Sequence, residues 1–203
     1  MFDFPITLYS QFLVALLGVI IFIKKRTFFI NLLVLFLLTT FLVELLGWYL
    51  PKVGKTNFEV YHFYTVFQYV VIFFLYKRLL KDRKYFRLSY LLLFFLLVFW
   101  ILAFFEKIYL HYMGIIGSLN VGFMVFLFLR ELLLSNEIVN YKRLLPFWVS
   151  VGLLVFHLPA IPFFSFWSYM KNRDLLPILY SLIVLMNVII SFGLIWSSKK
   201  VEY

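Results

Sequence analysis

Cysteine is absent from all 203 residues, which excludes disulfides, thiolate nucleophiles and cysteine-based metal sites. Alanine occurs only as Ala15, Ala103 and Ala160, and glycine 8 times. Small residues let membrane helices approach closely, so most helix contacts are expected to be bulky. Charge is scarce as well: 14% of residues carry it, against about 25% in an ordinary soluble domain. What fills the chain instead is apolar. Hydrophobic residues make up 65%, with 28 Phe among them, and the mean hydropathy is +1.01. A soluble globule of this size cannot hide that much apolar surface, so a cytosolic enzyme or a secreted domain is excluded. Disorder, which requires low hydrophobicity, is excluded too. The fold class expected is all-α, a polytopic integral membrane protein.

A helix needs about 20 mostly apolar residues to cross the hydrocarbon core. Seven stretches qualify: 7–23, 28–50, 58–79, 88–106, 114–134, 146–164 and 177–197. The first is no signal peptide, because its basic cluster follows the apolar run and no small-residue cleavage site appears. Connections are short throughout, so residues 1–203 read as one seven-helix domain with no soluble domain and no output domain after Trp196. The net charge of +10 raises nucleic acid as a partner, but the basic residues sit between the apolar runs, as cytoplasmic loops do. Alternate connections divide the 19 Lys and Arg unevenly. One side takes 14, namely Lys24, Lys25, Arg26, six between Lys77 and Arg87, Arg130, Lys142, Arg143, Lys199 and Lys200. The other takes 5, namely Lys52, Lys55, Lys107, Lys171 and Arg173. The positive-inside bias therefore predicts the amino terminus outside, the carboxyl terminus in the cytoplasm, and a multi-pass location in a cell inner membrane.

Polar side chains at membrane depth are costly and normally face the bundle interior. In the third span, Tyr61, His62, Thr65, Gln68 and Tyr69 fall within an arc of about 120°. Phe63, Phe67 and Phe74 lie on the opposite side. Glu59 sits three residues before His62 and is placed to interact with it. Glu44 and Thr40 occupy the outer part of span two, Ser118 and Asn120 that of span five, His157 that of span six, and Tyr180 and Asn187 the outer half and middle of span seven. A polar cavity in the outer half of the bundle is expected, with Glu44, Glu59, Tyr61, His62, Thr65, Gln68, Asn120, His157, Tyr180 and Asn187 as its ligand-binding residues. The alternative is that these groups hydrogen-bond one another across the bundle, at about 0.6 kcal/mol per pair. By depth, His62 is the expected partner of Glu44, a couple able to carry protons or sense pH.

Known chemistries mostly lack their parts. His62, His111 and His157 are expected on the outer side, and three histidines can hold zinc. They have no motif spacing, and the accompanying carboxylates and serines of seven-helix zinc hydrolases have no counterparts. Ser118 with His157 resembles a nucleophile and base, but Gly114, Ser118 and Gly122 recur every four residues, which points to helix packing. The seventh span has no retinal-type lysine, no Pro-Gln pair occurs, and phosphate-loop, His-Glu-x-x-His and dinucleotide motifs are absent. No cofactor is expected. Pro159 and Pro162 are expected to break the sixth span near its outer end.

The run Leu144-Leu145-Pro146-Phe147-Trp148-Val149-Ser150-Val151-Gly152-Leu153-Leu154-Val155-Phe156, together with Tyr180-Ser181-Leu182-Ile183-Val184-Leu185-Met186-Asn187, resembles an uncharacterised family of bacterial seven-helix membrane proteins. That family is similar to the membrane sensor modules of histidine kinases. That family has no assigned activity to carry over. The polar cluster and the short connections lead to the expectation of a non-enzymatic receptor-like subunit in the lipid bilayer, taking a small ligand from outside and acting through a protein partner, with no role for nucleic acid. A small proton-coupled transporter or channel using the same cavity is the second reading, and a membrane-embedded lipid hydrolase the third.

Overall fold

The computed structural model describes residues 5–81, 86–106, 109–166 and 176–197. They form seven α-helices: α1 (Ile6–Lys24), α2 (Phe28–Tyr49), α3 (Phe58–Leu79), α4 (Phe86–Leu102), α5 (Tyr109–Leu133), α6 (Leu145–Phe166) and α7 (Leu176–Trp196). Short 3-10 segments follow α2 (Leu50–Val53) and α5 (Asn136–Arg143). Among the described residues there is no strand. Six helices are long and apolar enough to cross a membrane, and α4, at 17 residues, is the shorter apolar one. This is the make-up of a multi-pass membrane protein.

Local chemistry sets the helix ends. The basic Lys24-Lys25-Arg26 stretch closes α1, and Thr27 opens α2 by accepting a hydrogen bond from the Ile30 amide at 3.3 Å. Past α2, Gly54 takes φ +73, the left-handed conformation glycine adopts without penalty, and this turns the chain toward α3. Two boundaries differ from the hydropathy reading by more than two residues. α5 begins at Tyr109 instead of 114, since its first turn is aromatic and amphipathic, a composition suited to the membrane–water interface. α4 ends at Leu102 instead of 106, where the chain makes a turn.

α6 corrects an expectation outright. It runs unbroken from Leu145 to Phe166 with Pro159 and Pro162 inside it. Each proline removes one amide donor, but in a membrane helix neighbouring groups can make up the loss. The carbonyls left without a helical amide donor are those of Val155 and Leu158.

The helices pack in a closed cycle: α1 on α2, α2 on α3, α3 on α5, α5 on α6, α6 on α7, and α7 back on α1. The members of this ring are the six long helices. α4 lies on its flank against α3 and α5, burying Phe86, Ser89 and Leu96. It runs antiparallel to α3 along most of its length. Tyr90 near its start meets Phe73, with ring centroids 5.1 Å apart, and Trp100 near its end meets His62 at 5.5 Å.

Leu33, Ile72, Tyr76, Met124, Leu153 and Ile190 are buried at the centre of the bundle. The outside is as apolar as the inside. Phe12, Leu16, Phe94, Phe126, Val188 and Phe192 are all exposed. Between 28% and 50% of each long apolar stretch is buried within the protein, so lipid must cover the remainder, which as a water-facing patch would be untenable. Phe63, Phe67 and Phe74 are exposed on α3, as the helical arc predicts.

Of the charges behind the expected orientation, Arg83, Lys84, Lys107, Lys171, Arg173, Lys199 and Lys200 lie outside the described residues, as does the side chain of His111.

Candidate functional site

The polar residues expected to line one cavity do not converge on one point. They form separate clusters, each at a different helix contact.

The cluster around Glu44 joins α2 to α3. The Tyr61 hydroxyl donates to Glu44 Oε2 at 3.1 Å. One turn deeper, Thr40 and Tyr64 share a hydrogen bond of 2.5 Å, and the Thr40 hydroxyl also donates to the Phe36 carbonyl at 2.7 Å. Tyr180 of α7 is near enough to Tyr61 to interact with it electrostatically, and is 46% exposed. Thr65 is half-buried and donates to the Tyr61 carbonyl at 2.7 Å, so its hydroxyl is spent on its own helix. Gly47 lies one turn beyond Glu44, and a side chain there would overlap the Tyr61 phenol. Its carbonyl also accepts a hydrogen bond of 3.1 Å from the Asn57 amide, which ties the α2–α3 connection to the same spot. Among the described residues, no lysine, arginine or histidine forms an ion pair with Glu44.

His62 corrects the expected pairing. It is 1% exposed, but it points toward α4 and not toward Glu44. Its ring stacks on Phe58 and Trp100 and meets Phe63 and Phe104 edge-on, with the Phe104 centroid 4.4 Å away. Neither ring nitrogen has a hydrogen-bond partner among the described residues. The physical reason is angular. Tyr61 and His62 are about 100° apart around the helix, so when one meets α2 the other meets α4. Glu59 does not bond His62 either. It is exposed in the first turn of α3, where an acidic side chain suits the helix dipole.

A buried chain crosses α3, α5 and α6. The Tyr69 hydroxyl donates to the Gly114 carbonyl at 3.2 Å and lies 3.3 Å from Ser118 Oγ, which is 3.1 Å from His157 Nδ1. Gln68, half-buried, lies beside the Tyr69 hydroxyl. Gly117 lets the Tyr69 ring lie against the α5 backbone, where a methyl group would collide with it. Ser118 and His157 therefore do meet as a nucleophile and base would. They are 0% and 2% exposed, however, and carry no room for a substrate. The spacing of Gly114, Ser118 and Gly122 does the packing work expected of it, since all three face α6 through Phe164, His157 and Leu158.

The two remaining candidates bond elsewhere. Asn120 Oδ1 accepts from Ser89 Oγ of α4 at 2.5 Å. Asn187 donates to Ser10 Oγ of α1 at 2.9 Å, and Ser10 in turn donates to the Thr7 carbonyl at 2.7 Å. The ten expected site residues thus divide among six places, with Glu44, Tyr61, Thr65 and Tyr180 near one another. Tyr64 and Gly47 belong to that place and are not in the sequence-based set. Tyr64 is set about 60° from Tyr61 by its three-residue spacing along the helix, on the side away from His62 and outside the predicted stripe.

Among the described residues, no group of three or more His, Asp or Glu side chains is arranged to hold a metal ion. Compared with protein-family models, curated proteins and solved structures, the chain matches none.

Proposed function

We propose that the protein is a seven-span bacterial inner-membrane sensor or ligand-binding subunit, non-enzymatic, with its amino terminus outside and its carboxyl terminus in the cytoplasm. It takes a small ligand at the Glu44–Tyr61–Tyr64–Tyr180 cluster and acts through a protein partner. A seventh crossing by α4 is supported by its antiparallel course along α3 from Phe73 to His62 and by its 17 residues, the lower limit for a span. The orientation is supported by the distribution of Lys and Arg.

The observation that carries the ligand site is the carboxylate of Glu44, inside an apolar helix, bonded to a tyrosine hydroxyl and, among the described residues, to no cation. Ionisable groups at such depth are retained chiefly where they meet a ligand, an ion or water. The three surrounding phenols add aromatic faces and hydroxyls, a combination suited to a small ligand bearing a positive or hydrogen-bond-donating group. The transport reading loses its proposed relay, because His62 stands on the other side of α3. The hydrolase reading has Ser118 and His157 in contact but sealed.

The test uses the purified full chain in lipid nanodiscs, melted against a panel of small amines, amino acids and sugars. A compound that raises the melting temperature of the parent and not of Glu44→Gln supports the site. Proton flux into dye-loaded proteoliposomes, lost in Glu44→Gln, replaces sensing with transport.

A further inference from the structure

At the opposite end of the bundle from Glu44, a cavity of about 510 Å³ opens between the start of α2 and the ends of α3 and α5. α2 and α5 each pack on α3, and the cavity lies between them. Its wall is apolar and aromatic, built from Phe28, Phe29, Phe128 and Leu132. Three cationic side chains, Arg78, Lys81 and Arg130, join that wall, with Glu131 as the one acidic residue among the described residues that line it. Glu131 is engaged by the chain itself, accepting a hydrogen bond from the Lys81 amide at 3.0 Å. The Arg78 guanidinium lies over the Phe28 ring, 5.8 Å from its centroid, which leaves its planar donor edge available for an oxyanion.

We propose that this cavity binds the headgroup of an anionic phospholipid, with the phosphate between Arg78, Lys81 and Arg130 and the acyl chains leaving along Phe28 and Leu134. Three cations against one carboxylate give the site a net positive charge, which favours a phosphodiester without a compensating ammonium. Basic pockets between helices on the cytoplasmic side recognise anionic headgroups in this way. The exposed flank supplies the second half of the match. Phe28 and Leu134 line the cavity and are also 50% and 77% exposed, so one apolar surface continues from the cavity to the outside of the bundle. A soluble phosphate would use the cations and leave that surface unused. A zwitterionic lipid would use the surface and bring a like charge to the cations.

The test is native mass spectrometry of the full chain in neutral detergent, titrated with phosphatidylglycerol or phosphatidylcholine of identical chains. The expected result is selective retention of phosphatidylglycerol by the parent. Retention falls by about five-fold per charge removed in Arg78→Gln and Arg78→Gln/Arg130→Gln, and is kept in Arg78→Lys/Arg130→Lys. Lys142→Gln, a basic-end residue that does not line the cavity, leaves it unchanged. If the glutamine pair does not fold, the parent's selectivity and its weakening in high salt decide the matter, read beside the lysine pair. Equal retention of the two lipids, or selectivity untouched by the glutamine variants, overturns the proposal. So does displacement of the lipid by millimolar inorganic phosphate, which would make the site one for a soluble anion.

Discussion

Glu44 and Tyr61 meet through a 3.1 Å hydrogen bond where the end of α2 packs on the start of α3, and Gly47 provides the space in which the phenol lies. A methyl group at Gly47 occupies the position of the Tyr61 hydroxyl. Gly47→Ala should therefore push the ring aside, break its bond to Glu44 and destabilise the fold by about 1–3 kcal/mol, the usual cost of overpacking. A double-mutant cycle with Tyr61→Ala, read by thermal melting, should show strong non-additivity. Additive losses would mean that the two residues do not share that space.

Glu44→Gln keeps an acceptor oxygen for the Tyr61 hydroxyl while removing the charge. Stability should stay within about 1 kcal/mol of the parent, the scale of one exchanged hydrogen bond, while ligand response disappears. Melting curves and a binding signal taken on the same sample separate the two effects. A variant as responsive as the parent would leave Glu44 with no part in recognition.

His62 is a buried ring among rings, with both nitrogens lacking a hydrogen-bond partner among the described residues. Replacing it by Phe removes two desolvated polar atoms and keeps the stacking on Phe58 and Trp100. His62→Phe should melt at or above the temperature of the parent. A marked fall would mean that the imidazole bonds a polar partner in the membrane.

Ser118 and His157 form a hydrogen bond sealed from substrate. A fluorophosphonate probe should not label Ser118. Ser118→Ala should cost about 1–3 kcal/mol, because it leaves His157 Nδ1 and the Tyr69 hydroxyl short of a partner. Covalent labelling at Ser118 would restore the hydrolase reading.

The absence of cysteine makes topology directly measurable. Single cysteines at Lys55 and Lys142 should react with an impermeant thiol reagent in intact cells at 55 and not at 142. The reverse pattern would invert the orientation.

The helix positions were legible because long apolar runs have few alternatives. α3, for example, occupies 58–79 as the hydropathy predicts. The lipid-facing side of α3 was legible too, since Phe63, Phe67 and Phe74 share it. What the sequence could not supply is which helix stands beside which face. The stripe holding Tyr61, His62 and Gln68 is a real polar arc, yet it faces α2, α4 and α5 at different heights, so residues adjacent in sequence acquire unrelated partners. Nothing in the α4 sequence marks Ser89 as the partner of Asn120, thirty-one positions away. The glycine at 47 was invisible for a related reason. Its role depends on a phenol from the next helix, and glycine in an apolar run carries no such label.

The closed ring has a consequence for biogenesis. α1 is translated first of the seven helices, with Thr7 and Gln11 buried and Ser10 half-buried on the side it turns to its neighbours. The Ser10–Asn187 bond joins residues 177 positions apart. Until α7 has been translated and inserted, that polar side of α1 has no completed interface and must face lipid or the insertion machinery. Local helix pairs such as α2–α3 need no such delay, since their contacts are short-range and close quickly. Assembly would then proceed as an open arc of helices that seals in one late step. A chain stalled before α7 would present a polar seam in the bilayer, a feature by which quality control can tell an unfinished copy from a finished one.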